Sequence, residues 1–173
     1  MPDTFRFWGR TDPRGRIKLP LRAEVPSAVD AGDGVTVLRL YEPIDSWGGD
    51  WGVSAREFLT ALDAIETPAI RLHINSPGGD FNTGLQIINN MLASEAHVVT
   101  VLEARAYSMA AFIFLSGDEL IVHDNCQLMF HTYSSSFAGK GSEQAAEVHA
   151  LGSWFEKVTT RICTPFLSAS DIN

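Results

Sequence analysis

From Val35 to Leu115 short β-branched runs alternate with longer helical ones, and no other feature of the sequence restricts the fold so much. Val35-Thr-Val-Leu-Arg-Leu-Tyr41 reads as a strand closed by Pro43. Ser54 then opens a helix in which Ala55, Phe58, Leu59, Leu62 and Ile65 recur at helical spacing, and Glu57 completes a capping box. Ala69 to Ile74 is a second strand, and Leu85, Ile87, Ile88, Met91 and Leu92 mark a second helix. Val98 to Leu102 is the third strand, and Ser108 to Ser116 the third helix. Such alternation predicts an α/β fold whose sheet is largely parallel, with right-handed crossovers. Leu120 to Val122 and Gln127 to Phe130 add two short strands around Asp124-Asn125. A long helix follows from about Ser142, with Ala145, Val148, Leu151, Phe155, Val158 and Ile162 on one face and Pro165 closing it. Ser168 to Ile172 starts a further short helix.

Residues 1–34 break any period with Pro13, Gly15, Pro20, Pro26, Gly32 and Gly34, so they are expected as an extended arm holding one short hairpin, ahead of a single domain over 35–173. Six basic side chains (Arg6, Arg10, Arg14, Arg16, Lys18, Arg22) stand against three acids in residues 1–24, a local charge of +3. The net charge of −8 therefore leaves −11 on the remainder. An acidic body argues against nucleic acid as the main partner. No stretch has the length and apolarity of a membrane span, and no signal peptide is recognisable at the N-terminus, so a cytoplasmic location is expected. Cys126 and Cys163 form no metal-type pair and are read as packing residues, without a disulfide framework.

Within this frame Ser108 is conspicuous. It is a lone hydroxyl where an apolar strand gives way to an apolar helix, beside N–H groups that the first turn leaves unpaired. The local alternative is a helix cap, a frequent role of serine. Two further features fall at strand ends, the Pro77-Gly78-Gly79 turn after the second strand and His131 after a later one. In a parallel sheet such ends share the edge at which α/β enzymes bind substrates. The chemistry these groups suit is acyl transfer: Ser108 as nucleophile, His131 as base, and the N–H groups of Gly79 and Met109 as donors to an oxyanion. Gly79, lacking a Cβ, is expected to let the backbone approach a substrate closely.

Ile74-Asn-Ser-Pro-Gly-Gly79, the Ser108-Met109 pair twenty-nine residues after the second glycine, and Leu128-Met-Phe-His131 resemble the motif series of the Clp protease proteolytic subunit. The likeness runs from about Val35 to the C-terminus. Tyr41-Glu-Pro-Ile-Asp45, Trp47 to Trp51 and the helix after them look more like the related head-maturation (prohead) proteases of tailed bacteriophages. The resemblance implies a serine endopeptidase with the ClpP/crotonase-like fold, a spiral of strand-strand-helix units assembled into homo-oligomeric rings. It makes Ser108 the nucleophile, His131 the general base, and the Gly79 and Met109 N–H groups the oxyanion hole. It also implies an aspartate as third triad member, at a position beyond Asn173. Asp171 falls in the helix before that position and is not assigned. The domain would thus lack its C-terminal end, and His131 the group that fixes its tautomer. Tyr107 and Ala110 flank the Ser-Met pair where relatives have smaller residues, and Thr132-Tyr133 replaces a proline-containing turn. Both are expected to narrow the cleft.

The resemblance implies protein substrates, capsid and scaffold proteins in a phage setting, or service beside an ATPase as a housekeeping Clp subunit. No cofactor is expected. The Pro-Gly-Gly turn lacks the Gly-Lys-Ser/Thr ending of a phosphate loop, so any ATP dependence belongs to a partner. A catalytically inactive ring or scaffold subunit and a crotonase-type acyl-CoA enzyme are the competing classes. His73, His97, His123 and His149 lack ligand spacing and read as satisfied or surface histidines. Trp8, Trp47, Trp51 and Trp154 are expected in the core or at subunit interfaces, and Asp80 and Asn82 at the start of a helix.

Overall fold

The computed structural model describes residues 10–11, 17–18, 29–30, 34–48, 50, 52–131 and 141–163. Two compact units make up the chain, Met1–Met129 and Phe130–Asn173. In the first, strands β1 (Arg10–Thr11) and β2 (Ile17–Lys18) pair antiparallel, which supplies the hairpin expected of the arm. The main sheet has the order β3 (Val29–Asp30), β4 (Val35–Leu40), β5 (Ala69–Ser76), β6 (His97–Tyr107), β7 (Glu119–Val122), and β8 (Gln127–Met129) also pairs with β6. Only β3 runs antiparallel to its neighbour; the pairs from β4 through β8 are parallel. The α/β reading therefore holds.

The third strand is longer than the β-branched run suggested, because it continues through Glu103-Ala-Arg-Ala-Tyr107. One partner supports its whole course and two share the other edge. β5 lies alongside from Ala69↔His97 to Ser76↔Ala106, while β7 takes residues 99–102 and β8 takes 105–107. Backbone pairing, not side-chain propensity, carries this extension, and it brings β8 to the edge beside Ser108.

Helices α1 (Ala55–Asp63), α2 (Phe81–Ala93) and α3 (Met109–Leu115) pack in sequence, α1 on α2, α2 on α3, and α3 on β5 and β6. The expected capping box of α1 is present: the Ser54 side chain accepts from Glu57 N–H at 3.2 Å, and the Glu57 carboxylate accepts from Ser54 N–H at 2.9 Å. Asp80 caps α2, its Oδ1 accepting from Thr83 N–H at 2.7 Å. Asn82 lies in the first turn, as expected.

The core is formed by Leu38, Leu40, Ile70, Leu72, Ile74, Val98 and Leu102 of the sheet with Phe58, Ile87, Ile88, Met91, Met109, Ile113 and Phe114 of the helices. Burying such side chains contributes about 1.5–3 kcal/mol each relative to exposure. Leu92, placed with the apolar stripe of α2 by its type, is exposed, because the buried face runs through Thr83, Gly84, Ile87, Ile88 and Met91. Thr100 is fully buried and donates to the Phe114 carbonyl at 2.8 Å, tying the end of α3 to β6.

In the second unit α4 spans Gly141–Cys163, with Leu151, Phe155, Val158 and Ile162 half-buried and Val148 exposed. Thr132-Tyr133, Pro165, the segment from Ser168 to Ile172 and Asp171 lie outside the described residues, as do Trp8 and Trp51. Among the described residues no helix is long and apolar enough to cross a membrane.

Candidate active site

Parallel pairing aligns the C-terminal ends of β4, β5 and β6, so the segments after Leu40, Ser76 and Tyr107 meet at one edge. Ser108 stands at the sharp turn from β6 into α3, with φ 53° and ψ −124°. Among the described residues it alone has positive φ without being glycine. A non-glycine residue held in such a region costs roughly 1–3 kcal/mol and persists only where its surroundings enforce it. A strained strand-to-helix turn of this kind exposes a nucleophilic hydroxyl at the top of an α/β sheet. Met129 of β8 anchors the turn, its carbonyl accepting Ser108 N–H at 2.8 Å. The serine lies just before the helix rather than in its first turn, and its side chain makes no capping hydrogen bond. The capping role is thereby set aside.

The two glycines of the turn after β5 serve different contacts. At Gly78 (φ +83°) an added Cβ would lie 2.3 Å from the Tyr107 carbonyl oxygen and 2.9 Å from both Met109 N and Ser108 Cβ. Gly78 therefore packs directly on the Ser108 turn, a contact that spacing alone did not disclose. At Gly79 (φ +147°) the Cβ would meet the Ile44 carbonyl oxygen at 2.0 Å. The missing Cβ of Gly79 thus allows the close passage of the chain's own Ile44. Ile44 N–H donates to the Gly78 carbonyl at 2.9 Å, and Asp80 N–H donates to the Ile44 carbonyl at 2.8 Å. Because a trans peptide is planar with C=O and N–H opposed, the bond on Gly78 C=O turns the next N–H, that of Gly79, away from Ile44. No hydrogen bond occupies that N–H among the described residues.

Met109 begins α3, where a backbone N–H has no intrahelical acceptor. Its side chain is buried against α2 at Gly84, where an added Cβ would come within 2.1 Å of Met109 Cγ. A fixed side chain fixes the adjoining N–H. Ala110, expected at the cleft, is fully buried in the core and cannot narrow it. The Tyr107 hydroxyl donates to the Gln127 side chain, and the Arg105 guanidinium lies 5.7 Å from the ring centre. One end of the first unit thus brings together Ser108, Met109, Gly78 and Gly79. His131 belongs to the second unit, two residues beyond Met129 in sequence.

A second polar group, with no counterpart in the sequence motifs, lies across β5, β6 and the residue that follows β4. Glu103 of β6 accepts from Tyr41 OH at 2.6 Å and lies 2.6 Å from His73 Nδ1 of β5. Burial, and then the carboxylate beside it, push the Tyr41 phenol up to about 12. Burial also raises the Glu103 carboxyl, but hydrogen bonds from Tyr41 and His73 and the charges of His73 and Arg39 outweigh it and hold the group below its ordinary value. His73 is accordingly a satisfied histidine. His97 lies 3.7 Å from Asp118 and 3.9 Å from Glu119 at the surface, and His123 and His149 are exposed. The described residues contain no cluster of three or more His, Cys, Asp or Glu able to hold a metal ion.

Cys126 is half-buried with its thiol 2.9 Å from the Leu102 carbonyl, and burial pushes the Cys163 thiol up. Trp47 is 88% exposed and Trp154 is also exposed, so of the two places expected for them neither fills the core. Asp45 shapes the Trp47 loop by accepting from Trp47 N–H at 2.7 Å.

The sequence profile of the Clp protease family matches residues 45–165, most of the chain. Over 92 residues the chain is 35% identical to an ATP-dependent Clp protease proteolytic subunit of Ostreococcus tauri, a match covering 52% of this chain and 45% of that protein. The chain thus matches rather less than half of the length of that relative. With the parallel sheet, the Gly78-Gly79 turn and the strained Ser108 on one edge, the profile match shows that this chain belongs to the Clp protease family.

Proposed function

We propose that the protein is a serine endopeptidase acting through an acyl-enzyme on Ser108. The conformation of Ser108 carries this reading: a strained turn that leaves the hydroxyl uninvolved in capping, beside two N–H groups without backbone acceptors among the described residues. Ser108 Oγ attacks the scissile carbonyl while His131 accepts its proton, and the tetrahedral oxygen receives the N–H groups of Gly79 and Met109. Collapse returns the proton to the leaving amine, and water repeats the sequence on the ester. Support for His131 as base comes from its motif position.

The substrates are proteins and the working form is a homo-oligomeric ring. Two settings rest on separate observations. Similarity to an ATP-dependent subunit favours service beside an ATPase, and the Tyr41 to Trp51 loop favours capsid and scaffold substrates in phage head maturation. Incubation of the full chain with an unfolded protein, and separately with capsid and scaffold proteins, distinguishes them by which is cut without an added ATPase. Cleavage lost in Ser108→Ala is the expected result for either setting. Cleavage that survives the substitution contradicts the proposal, and no cleavage by the wild type in either arm, with or without an ATPase, supports the inactive-subunit reading.

A further inference from the structure

The Ser76 side chain occupies the last position of β5, is 0% exposed, and makes two hydrogen bonds in opposite senses. Its hydroxyl donates to the Glu42 carbonyl at 2.7 Å and accepts from Gly78 N–H at 3.1 Å. From these contacts we infer that Ser76 is the positioning residue of the oxyanion hole, selecting Gly79 over Gly78 as donor; the inference rests on the peptidase reading. Two successive glycines offer two N–H groups to a developing oxyanion, and a chain so free of side chains has several ways to present them. Ser76 removes the ambiguity. The Gly78 N–H is held inward by a buried hydroxyl, so only the Gly79 N–H is left to the cleft.

The same hydroxyl ties the turn to the neighbouring segment. Ser76 holds the Glu42 carbonyl, and two residues later Ile44 binds the Gly78 carbonyl and Asp80 N–H on either side of Gly79. The peptide planes before and after Gly78 are thus fixed by independent bonds. β5 also changes register on β6 between Ile74 and Ser76, which turns the serine into its bridging place. Donors that are fixed before reaction stabilise an oxyanion far better than donors that must reorient, and loss of one lowers kcat about 100- to 1000-fold.

Two measurements test the inference. The first is amide hydrogen exchange of the wild-type chain by NMR, in which Gly78 N–H should be protected and Gly79 N–H should exchange rapidly. Protection in the reverse order overturns the inference whatever the activity. The second compares wild type, Ser76→Ala and Ser76→Thr in peptide-ester turnover and in phosphonylation by a serine-directed phosphonate. Ser76→Ala should lower kcat and the phosphonylation rate about 100-fold with KM within about twofold, and Ser76→Thr, keeping the hydroxyl, should recover most of the loss. Equal rates in wild type and Ser76→Ala overturn the inference while leaving the nucleophile intact. Failure of the wild type to react at all contradicts the peptidase reading itself, and the exchange pattern then still decides whether Ser76 holds the turn.

Discussion

Two serines precede helices in this protein, Ser54 before α1 and Ser108 before α3, and their surroundings are opposite. Ser54 has φ −82° and ψ 159°, and it exchanges hydrogen bonds with Glu57 in a complete capping box. Ser108 has φ 53° and ψ −124°, and it caps nothing. The first is relaxed and serves the fold. The second is strained, and its surroundings fix it: Met129 holds its N–H, Gly78 packs on its backbone, and Met109 is buried just after it. The same residue type in the same helix position therefore caps or does not cap according to what the neighbouring chain imposes.

Exchanging the side chains breaks the comparison most severely at Ser108. Ser108→Ala should reduce peptide turnover at least about 1000-fold while shifting thermal unfolding little, since no capping bond is lost. A second large effect is expected at Gly78. In Gly78→Ala the new methyl meets the Tyr107 carbonyl and Met109 N at a positive φ, so the chain should lose stability by about 1–3 kcal/mol in denaturant titration and lose turnover with it. Conversely, Ser108→Gly should raise stability by about 1 kcal/mol, because glycine adopts that backbone without strain. Ser54→Ala should lower stability by about 1 kcal/mol and leave the turnover per folded molecule unchanged.

The smallest effects are expected at the polar group of Tyr41, His73 and Glu103, and their signs follow from the shifted groups. Tyr41 titrates at about 12 in place of 10.0, so its contribution is present below pH 10 and is lost as pH rises from 10 to 12. Glu103 lies below its ordinary 4.5, so its contribution is present above that pH and fades as pH falls through the lowered value. Denaturant midpoints of Glu103→Gln and wild type should therefore converge in acid, and those of Tyr41→Phe and wild type should converge at the alkaline end.

The candidate site was legible in the sequence where a glycine or a lone polar residue stands in a turn at a strand end. Pro77-Gly78-Gly79, Ser108-Met109 and His131 marked strand ends, and parallel order placed the first two on one edge. The sequence even held a signal separating the two serines, since Glu57 stands three residues after Ser54 but Ala111 three after Ser108, where no box can close. Contacts between distant strands left no such mark. That Gly79 clears Ile44, that Gly78 touches Tyr107, and that Tyr41, His73 and Glu103 meet all depend on register, which no local pattern states. The extension of β6 was hidden for the same reason, because Glu103-Ala-Arg-Ala lacks the β-branched signal that pairing made unnecessary.

Whether Ser108 is a nucleophile decides what this site does. Treating the folded wild-type chain with a serine-directed phosphonate and mapping the adduct by mass spectrometry tests that role directly. A nucleophile should give a single stoichiometric adduct on Ser108, formed by the native protein and lost on unfolding. An unmodified Ser108 in the folded chain, or modification spread equally over Ser54 and other serines, would contradict that role.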